Sequence, residues 1–458
     1  MIPQFINREK EKEFLEGAYK SGRAEMIVLY GRRRIGKTEL IAHFCKGKPH
    51  VYYLCTEDSE KNNMEALSAD FAEFLGKPIL REVKIESWLH LFERFLELLG
   101  KNEKKAIIAI DEFPFLISIN HGIPSIFLKI WDTLLKDRNI MLILSGSSVS
   151  MMETEVLGYK SPLFGRRTGQ WKVDWLALRH LGKFFPSYSI EERMMVYAVL
   201  GGVPAYLKEF TDNTGVFDNI REKILQKGKY LYQEVEFIMK QEFREQRTYL
   251  TILKKMALGF NSIGKLCAET GMDKANLSKY LAVLEETRIT RHILPLGRKR
   301  GGVYVIDDPF FNFWLKMAAP HQAELESGNS AGVARIIEKE FAGYMGRMFE
   351  LICEKQILSG AVSAPIQITS VAKWWHKERE IDIACVDEAA REALFIECKW
   401  ADLSEKEAKS ILDELKEKSA FVEWKRDKEY FGLMGKNISG KENLRKQGFW
   451  VIDLKDFE

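Results

Sequence analysis

The segment Tyr30–Leu40 constrains the fold of this chain more than any other stretch, because it contains a complete phosphate-loop pattern. The pattern is G-x-x-x-x-G-K-[ST], and its fixed positions are filled by Gly31, Gly36, Lys37 and Thr38. Glycines let backbone N–H groups turn toward a phosphate, the lysine adds a positive charge and the hydroxyl a magnesium ligand. A predicted strand, Met26–Tyr30, precedes the loop, and a predicted helix, Thr38–Lys46, follows it with its N-terminus toward the anion. The sequence therefore predicts a bound nucleotide.

A second apolar stretch ends in two acids. Ala106–Glu112 reads AIIAIDE, which predicts a buried parallel strand with Asp111 and Glu112 at its carboxyl end. Doubly wound sheets bind ligands at the carboxyl ends of their strands. We therefore predict that Asp111 holds Mg²⁺, directly or through water, and that Glu112 orients or deprotonates the attacking water. The alternative is a pair of solvated acids in a turn.

Two later segments offer further groups to the same site. The predicted strand Ile140–Leu144 is followed by S-G-S-S, where the hydroxyl of Ser147 either senses the γ-phosphate or belongs to a simple turn. Arg166 and Arg167, in the segment PLFGRRT, offer guanidinium groups that would stabilise the charge of a transition state. The alternative for this pair is a solvated basic turn. The sequence leaves open whether either arginine acts within its own chain or across a subunit interface.

Composition narrows the class of protein. A length of 458 residues suggests about three domains, and the net charge of +3 gives the whole chain little preference for polyanions. The six cysteines form no CxxC pair, which favours reduced thiols over a disulfide framework or a zinc site. We found no apolar run of about 18 residues and no signal-peptide-like amino end. These features predict a soluble cytoplasmic protein without a membrane partner.

These motifs together resemble the archaeal-type P-loop ATPase family of the AAA+/STAND class. The resembling elements, in the family's order, are FINRE at 5–9, YGRRRIGKTEL at 30–40, IDEFPFL at 110–116, LSGSS at 144–148, PLFGRR at 162–167 and GGVPAYL at 201–207. The resemblance covers residues 1–240 and implies ATP or ADP with Mg²⁺, and a small helical lid. The nucleotide contacts that it implies outside the fixed pattern come from Asn7, Arg8, Arg32, Arg33, Arg34, Ile35, Glu39 and Pro204. No N-K-x-D element follows the loop, which argues against GTP.

The middle of the chain has the element order of a winged helix. The predicted elements are helices at Ser262–Leu266 and Asp273–Glu286 and a hairpin of Ile289–Leu294 and Val303–Ile306. Residues 251–300 carry ten Lys or Arg against four Asp or Glu, a net charge of +6. Lys274 and Lys279 fall early on the second helix and Arg298–Arg300 at the hairpin tip, which suits contacts with DNA phosphates. The alternative is a rigid spacer or a protein-contact module.

The carboxyl-terminal part carries a set of acids and a lysine on predicted strands. The predicted elements are a helix at Ile336–Ser359, strands at Val371–Trp375, Arg379–Asp387 and Ala393–Trp400, a helix at Lys406–Ser419 and a strand at Phe449–Leu454. Asp382 and Glu397 lie on neighbouring strands and would share Mg²⁺, and Lys399 points to the same face as Glu397 because strand side chains alternate. Lys399 would activate water or stabilise the phosphorane, and Glu350 from the first helix would complete the site.

This order with D…E-x-K resembles the PD-(D/E)xK nuclease-like fold, although Ile381 stands where the pattern has proline. The alternative is a structural remnant that does not cleave. The predicted architecture is an α/β multidomain protein, with a P-loop ATPase core built on a doubly wound parallel sheet (1–180), a helical lid (181–240), a winged helix-turn-helix (241–317), a linker (318–335) and a restriction-endonuclease-like α/β domain (336–458).

Two functions remain open at this point. The first is a Mg²⁺-dependent ATPase whose nucleotide state controls a DNA-directed nuclease, with DNA bound by the winged helix and the carboxyl-terminal domain. The second is a non-cleaving, nucleotide-dependent regulatory switch or scaffold that binds nucleic acid or protein. The sequence does not decide whether the chain forms a homo-oligomer.

Overall fold

The computed structural model describes residues 5–82, 84–101 and 104–457, so the first four residues and residue 458, included in the predicted domain bounds, lie outside the described residues. The chain packs as two compact units, one ending at Trp175 and the other beginning at Leu176. The predicted lid, winged helix and carboxyl-terminal domain fall within the second unit, and their division into separate domains stays a prediction. Within the described residues, no helix combines the length and the apolar character needed to cross a membrane.

The first unit is built on a five-stranded parallel sheet. Its strands are β1 (Glu25–Tyr30), β2 (His50–Leu54), β3 (Ala106–Asp111), β4 (Ile140–Gly146) and β5 (Gly169–Lys172), in the order β2-β3-β4-β1-β5. Its α-helices are α1 (Glu9–Lys20), α2 (Lys37–Cys45), α3 (Glu60–Leu75), α4 (Ile79–Glu82), α5 (Trp88–Leu99), α6 (Phe113–Ile119), α7 (Ile123–Ile130) and α8 (Val149–Met151). Wider π-type turns continue α7 and α8 over Trp131–Leu135 and Met152–Val156. The predicted parallel α/β fold is confirmed.

The sheet separates two hydrophobic cores. Along β1, Met26 and Val28 belong to one core, with side chains of α3 and α5, whereas Ile27 and Leu29 belong to the other, with side chains of α1 and α2. This alternation is the period of two that a strand imposes. Helices therefore cover both faces, and every residue of β3 and β4 is buried, as expected for a parallel sheet.

The segment Phe113–Leu116 follows the two acids directly and begins helix α6. Pro114 lies in the first turn of that helix, where a missing N–H costs no hydrogen bond. Phe113 and Leu116 are buried in the core, so their apolar character comes from packing.

The second unit is mostly helical before its sheet. Its α-helices are α9 (Leu181–Phe184), α10 (Ile190–Leu200), α11 (Pro204–Leu207), α12 (Val216–Asn219), α13 (Glu234–Glu242), α14 (Gln246–Ala257), α15 (Ile263–Thr270), α16 (Lys274–Glu286), α17 (Pro309–Phe313), α18 (Gln322–Glu326), α19 (Ser330–Leu358), α20 (Glu405–Ser419) and α21 (Lys441–Lys446). Tighter or wider helical turns lie at Leu178–His180, Ile220–Ile224, Trp314–Ala318, Ala319–His321 and Leu454–Phe457. Strands β6 (Thr290–Ile293) and β7 (Val303–Ile306) form an antiparallel hairpin after α16, in the predicted order of elements.

The segment 318–335, which we predicted as a linker, is largely helical. It contains a short helical turn, α18 and the beginning of α19. The side chain of Asn329 accepts a hydrogen bond from the backbone N–H of Gly332 and so caps α19. The Ser-Gly-Asn-Ser stretch at 327–330 therefore marks a helix start.

A second five-stranded sheet forms the carboxyl-terminal part. Its strands are β8 (Ser370–His376), β9 (Arg379–Asp387), β10 (Glu392–Leu403), β11 (Lys428–Ile438) and β12 (Trp450–Ile452), in the order β12-β11-β10-β9-β8. Strands β8, β9 and β10 are antiparallel neighbours, whereas β10, β11 and β12 are parallel. The sequence analysis missed β11, which lies beside β10 and places that strand in the middle of the sheet.

The hairpin β6–β7 packs against this carboxyl-terminal part. The backbone N–H of Leu296, in the hairpin turn, donates to the carbonyl oxygen of Lys373 in β8 at 2.8 Å. Arg291 of β6 makes two hydrogen bonds of 2.6 Å with the carboxylate of Glu354 in α19. The hairpin is thus fixed to the sheet by a backbone bond and to the long helix by a bidentate ion pair.

We predict that Arg291→Ala lowers the free energy of unfolding by about 2 kcal/mol, because it leaves the Glu354 carboxylate buried without its partner. Glu354 is only 7% exposed, whereas the Arg291 side chain is 32% exposed. Because Arg291 is partly in contact with water, we expect a smaller loss of stability than for a fully buried ion pair. The measurement is the denaturant midpoint followed by circular dichroism. The double variant Arg291→Ala/Glu354→Leu should recover part of the loss, and an unchanged midpoint in the single variant would contradict this role.

Candidate active sites

The phosphate loop leaves β1 at Gly31 and enters α2 at Lys37. A Cβ at Gly31 would lie 2.2 Å from the carbonyl oxygen of Val173, so the close approach of that backbone requires glycine. Gly36 has a φ of 88° and open space beside it, so glycine is favoured there by the backbone conformation. The two fixed glycines of the motif thus serve different physical needs.

The side chain of Lys37 is buried and lies along the loop. Its Nζ donates to the carbonyl oxygens of Gly31 at 2.8 Å and Arg32 at 3.0 Å, and to Oγ of Ser147 at 2.8 Å. The ammonium group is therefore positioned by the backbone of the same loop that begins α2. It lies next to the hydroxyl that we predicted as a γ-phosphate sensor.

The carboxylate of Asp111, at the end of β3, accepts three hydrogen bonds. Its Oδ2 accepts from Oγ1 of Thr38 at 2.7 Å and from the hydroxyl of Tyr52 at 3.0 Å, and its Oδ1 accepts from the N–H of Glu112 at 3.0 Å. Hydroxyl and carboxylate oxygens are ligands that suit Mg²⁺. Thr38 and Asp111 therefore fit the predicted magnesium site and would hold the ion.

Tyr52 was missed by the sequence analysis. It lies on β2, which pairs with β3, so its hydroxyl reaches Asp111 across the sheet. Burial raises the pKa of the Tyr52 hydroxyl, and the Asp111 charge raises it further, so the group stays a hydrogen-bond donor. A tyrosine in a strand carries no motif, and the strand order was needed to find it.

Glu112 adopts a left-handed backbone conformation, with a φ of 54°, which is uncommon for a residue with a side chain. Its carboxylate accepts a hydrogen bond from the N–H of Ser147 at 3.2 Å and a short one from the Ser147 hydroxyl. Because the Ser147 hydroxyl also accepts from Lys37, one residue connects the predicted base with the loop lysine. The structure thus brings Lys37, Glu112 and Ser147 together.

The amino-terminal residues support the loop. Arg8 is buried, and its guanidinium donates to the carbonyl oxygen of Ile35 at 2.9 Å and pairs with Glu11 at 2.9 Å. Asn7 precedes Arg8, which is the cap residue of the first helix, and no side chain caps that helix. A nucleotide contact by Asn7 or Arg8 stays a prediction.

The remaining predicted nucleotide-site residues fall into three groups. Arg32 lies over the ring of Trp175 and Arg33 over that of Phe115, each at 6.0 Å, while Arg34 has a φ of 67° and Glu39 is exposed in the first turn of α2. Arg166 forms a 3.0 Å ion pair with Asp132, and Arg167 lies 5.5 Å from the ring of Phe164. Pro204 begins α11 in the second unit. The roles of Arg166, Arg167 and Pro204 at a nucleotide stay predictions.

The carboxyl-terminal prediction places three groups together on the sheet. Nζ of Lys399 lies 2.8 Å from Oε2 of Glu397 and 3.4 Å from Oδ2 of Asp382. The backbone N–H of Cys398 also donates to Asp382, at 2.8 Å. Asp382 and Glu397 are both nearly completely buried, so their charges are held by these partners.

Two further lysines that the sequence analysis missed pair with the predicted acids. Lys418 of α20 lies 3.0 Å from Oε1 of Glu397, and Lys373 of β8 lies 2.5 Å from Oε2 of Glu350. Neither lysine belongs to the E-x-K pattern. Lys373 falls at the irregularity that interrupts the pairing of β8 with β9, a feature that is visible in the fold and not in the sequence.

The acids influence one another electrostatically. Burial raises the pKa of Glu397, and the negative charge of Asp382 raises it further. The positive charges of Lys399 and Lys418 have the opposite effect on this pKa. Burial likewise raises the pKa of Glu350, with Lys373 opposing and Asp382 adding to the rise. The four predicted residues Glu350, Asp382, Glu397 and Lys399 therefore form one interacting cluster, which with Lys373 and Lys418 we call the carboxylate–lysine cluster.

The oxygen atoms of this cluster are of the kind that binds Mg²⁺, but in the structure they are paired with lysines. Asp382 and Glu397 supply the hard oxygen ligands that Mg²⁺ prefers, but each is bonded to a lysine ammonium. In the part of the chain that the structure describes, no three His, Cys, Asp or Glu side chains are grouped to hold a metal ion. A metal at Asp382 and Glu397 would have to replace lysine contacts.

Comparisons with known proteins agree with the fold of the first unit. A family model described as an ATPase domain predominantly from Archaea matches residues 5–210. The uncharacterized protein MJECL04 of Methanocaldococcus jannaschii is 33% identical over 458 residues, which cover 99% of this chain and 100% of that protein. The chain belongs to this archaeal ATPase family. Membership confirms the prediction of a P-loop ATPase and of nucleotide binding.

Other similarities cover parts of this archaeal ATPase. The uncharacterized ATP-binding protein MJ0423 of M. jannaschii is 51% identical over 47 residues, 10% of this chain and 80% of that protein. A second model, described as Archaea bacterial proteins of unknown function, matches residues 314–411. Among solved structures, the Walker-type ATPase PABY2304 of Pyrococcus abyssi aligns with a TM-score of 0.49 and 20% identity, covering 68% of this chain and 96% of that one. A similarity at that level does not allow a function to be inferred for this chain.

We predict that Tyr52→Phe weakens the binding of Mg-ATP about tenfold, because Asp111 loses one of the hydrogen bonds that orient it. Binding of ATP without Mg²⁺ should change much less. The measurement is a titration with a fluorescent ATP analogue in both conditions. Tyr53→Phe is the matched control, since the neighbouring hydroxyl donates to Asn63 and not to Asp111. Equal effects of the two variants would exclude a role of Tyr52 at the metal.

Proposed function

We propose that this chain is a Mg²⁺-dependent ATPase whose nucleotide state controls a DNA-interacting carboxyl-terminal module. The observation that carries the ATPase part is the 2.7 Å hydrogen bond between Thr38 and Asp111, because it joins the loop hydroxyl to the strand carboxylate. When bound there, Mg²⁺ supplies the positive charge that neutralises the β- and γ-phosphates of ATP.

The side chains of the first unit take distinct roles in this proposal. Lys37, at the start of α2, binds the β- and γ-phosphates, and Glu112 orients or deprotonates the attacking water. Ser147 positions both charged groups, since its hydroxyl bonds to Lys37 and Glu112 at once. A hydroxyl between a cation and an anion fixes their separation without adding charge.

We predict that Lys37→Ala abolishes nucleotide binding, whereas Glu112→Gln keeps binding and lowers kcat at least about 100-fold. The measurements are phosphate release and a nucleotide titration on the same preparations. Lys46→Ala, at the exposed residue that follows α2, and Glu65→Gln, at an exposed position of α3, remove the same charges and should leave both quantities unchanged. Turnover that survives both site variants would contradict the assignment of this site.

For the carboxyl-terminal module, we propose metal-dependent cleavage of DNA. The supporting observation is the convergence of Asp382, Glu397 and Lys399. Two carboxylates would hold the metal, which when bound supplies an activated water, and the lysines would face the negative phosphodiester. The positive charge of residues 251–300 and the exposed Lys274 and Lys279 on α16 support DNA as the partner.

A second candidate for this module is a non-cleaving element that binds nucleic acid or protein. The observation that favours it is that Glu350, Asp382 and Glu397 are each bonded to a lysine. Such a cluster is close to neutral and needs no metal to be satisfied. The two candidates differ in whether a divalent metal displaces these lysines.

We predict that the wild-type chain nicks plasmid DNA with Mg²⁺ or Mn²⁺, and that Asp382→Ala abolishes nicking because a metal ligand is lost. The assay includes ATP and ADP, since the proposal makes the rate depend on the nucleotide. Asp402→Ala is the matched control, because Asp402 lies on β10 but is exposed. Nicking that persists in Asp382→Ala would remove the cleavage claim, and plasmid binding without any nicking would favour the second candidate.

A further inference from the structure

A cavity of about 260 Å³ lies in the second unit where α14, the helical turns after α17 and the middle of α19 meet. About half of its wall is apolar, from residues such as Leu258, Leu315, Met317 and Pro320. Lys316 and Arg347 also line it, as does Glu340. We call this space the Lys316–Arg347 cavity.

Among the residues that the structure describes, no acid is in close contact with the two cations of this cavity. Within the described residues, neither Lys316 nor Arg347 forms a hydrogen bond or an ion pair, and Glu340 pairs with neither of them. Burial lowers the pKa of Lys316 to about 8, and the like charge of Arg347 adds to this effect while Glu350 opposes it. Lys316 is half-buried and Arg347 is exposed, and their like charges repel each other, so the cavity is suited to an anion.

The position of the cavity relates it to the carboxylate–lysine cluster. Arg347 lies three residues before Glu350 on α19, so their side chains emerge from the same side of the helix within about 6 Å of each other. The electrostatic effect of Glu350 on Lys316 shows the same proximity. An extended polyanion that reaches the cluster would therefore also pass the cavity.

We propose that the Lys316–Arg347 cavity binds a phosphodiester group of a nucleic acid strand adjacent to the group that faces the carboxylate–lysine cluster. The inference rests on the proposed nucleic-acid interaction of this module but does not require cleavage. Arg347 offers a planar fork of donors for phosphate oxygens, and Lys316 offers a charge partly screened from water. Free phosphate has the same chemistry, and the test separates the two sources.

The experiment measures binding of fluorescein-labelled single-stranded and duplex oligonucleotides by the full chain in metal-free buffer, where no cleavage occurs. We expect Lys316→Gln and Arg347→Gln each to weaken binding about three- to tenfold and to reduce the salt slope by about one. Lys339→Gln is the matched control, since Lys339 is an exposed lysine of α19 outside the cavity. Lys316→Arg should keep the wild-type affinity, which separates loss of charge from loss of packing.

The pH dependence gives a second readout. The contribution of Lys316 should be present at pH 7 and decline as pH rises above about 8, since the ammonium then loses its proton. A bound phosphate favours the charged form and shifts this decline upward. The titratable groups around Lys316 are Arg347 and Glu350, whose charges act on its pKa, and Glu340 and Tyr344, which line the same cavity. The Tyr344 hydroxyl donates to the carbonyl oxygen of Ala198. Lys316→Arg shares all of these groups, so a smaller decline in this variant would be specific to Lys316.

The outcomes distinguish this inference from the proposed function. Equal affinities of Lys316→Gln, Arg347→Gln and Lys339→Gln would overturn the inference while the wild type still binds DNA, whereas a wild type that binds no oligonucleotide would overturn the proposed DNA interaction itself. Unchanged binding by Asp382→Ala with loss in Lys316→Gln would support the cavity even if no nicking occurs. Inorganic phosphate that raises the melting temperature of the wild type but not of Lys316→Gln, with oligonucleotide binding unaffected, would assign the cavity to free phosphate and overturn the proposal.

Discussion

The chemistry of the first unit depends on the order of its parallel strands. Strand β4 lies between β1 and β3, so the residues that follow these three strands meet at one edge of the sheet. This order explains why Ser147, after β4, bonds both to Lys37, after β1, and to Glu112, after β3. The hydrogen bond between Thr38 and Asp111 spans the same gap between β1 and β3. A phosphate loop and an acidic strand become one site because the sheet brings their ends together.

This dependence defines what could be predicted from the sequence. The phosphate loop and the acids after β3 were found because each is a local pattern whose residue types state their chemistry. The contact of Tyr52 with Asp111 needs the pairing of β2 with β3, which no local pattern contains. Strand β11 was missed for another reason: its glycines at 432 and 435 reduce its apolar run, yet a Cβ there would meet Trp450 or Ile438 at under 3 Å. In the folded strand these glycines make room for neighbouring side chains, whereas in the sequence alone a glycine is usually taken as a sign of a loop.

The second unit shows a similar limit in its electrostatics. The E-x-K pattern identified Lys399 because a strand places residues two apart on one face. Lys373 and Lys418 come from β8 and α20, and they reach Glu350 and Glu397 only through the tertiary fold. The three acids, of which Asp382 and Glu397 are buried, are thereby matched by three lysines. The sequence suggested an acidic metal site, whereas the structure has a nearly neutral cluster of acids and lysines. A metal ion that binds there would have to replace lysine ammonium groups as the partners of the carboxylates.

The same lysines connect the cluster to the rest of the unit. The carbonyl oxygen of Lys373 accepts the hydrogen bond from Leu296 in the hairpin turn, and its ammonium group pairs with Glu350. Because the pairing of β8 with β9 is irregular at this residue, its carbonyl is available to a partner outside the sheet. The hairpin turn is therefore not a free tip, although Arg298–Arg300 remain exposed on it. A DNA strand bound by those arginines would contact the same hairpin turn whose backbone is hydrogen-bonded to Lys373. Binding of DNA there would therefore be coupled to Lys373, the residue that balances the charge of Glu350.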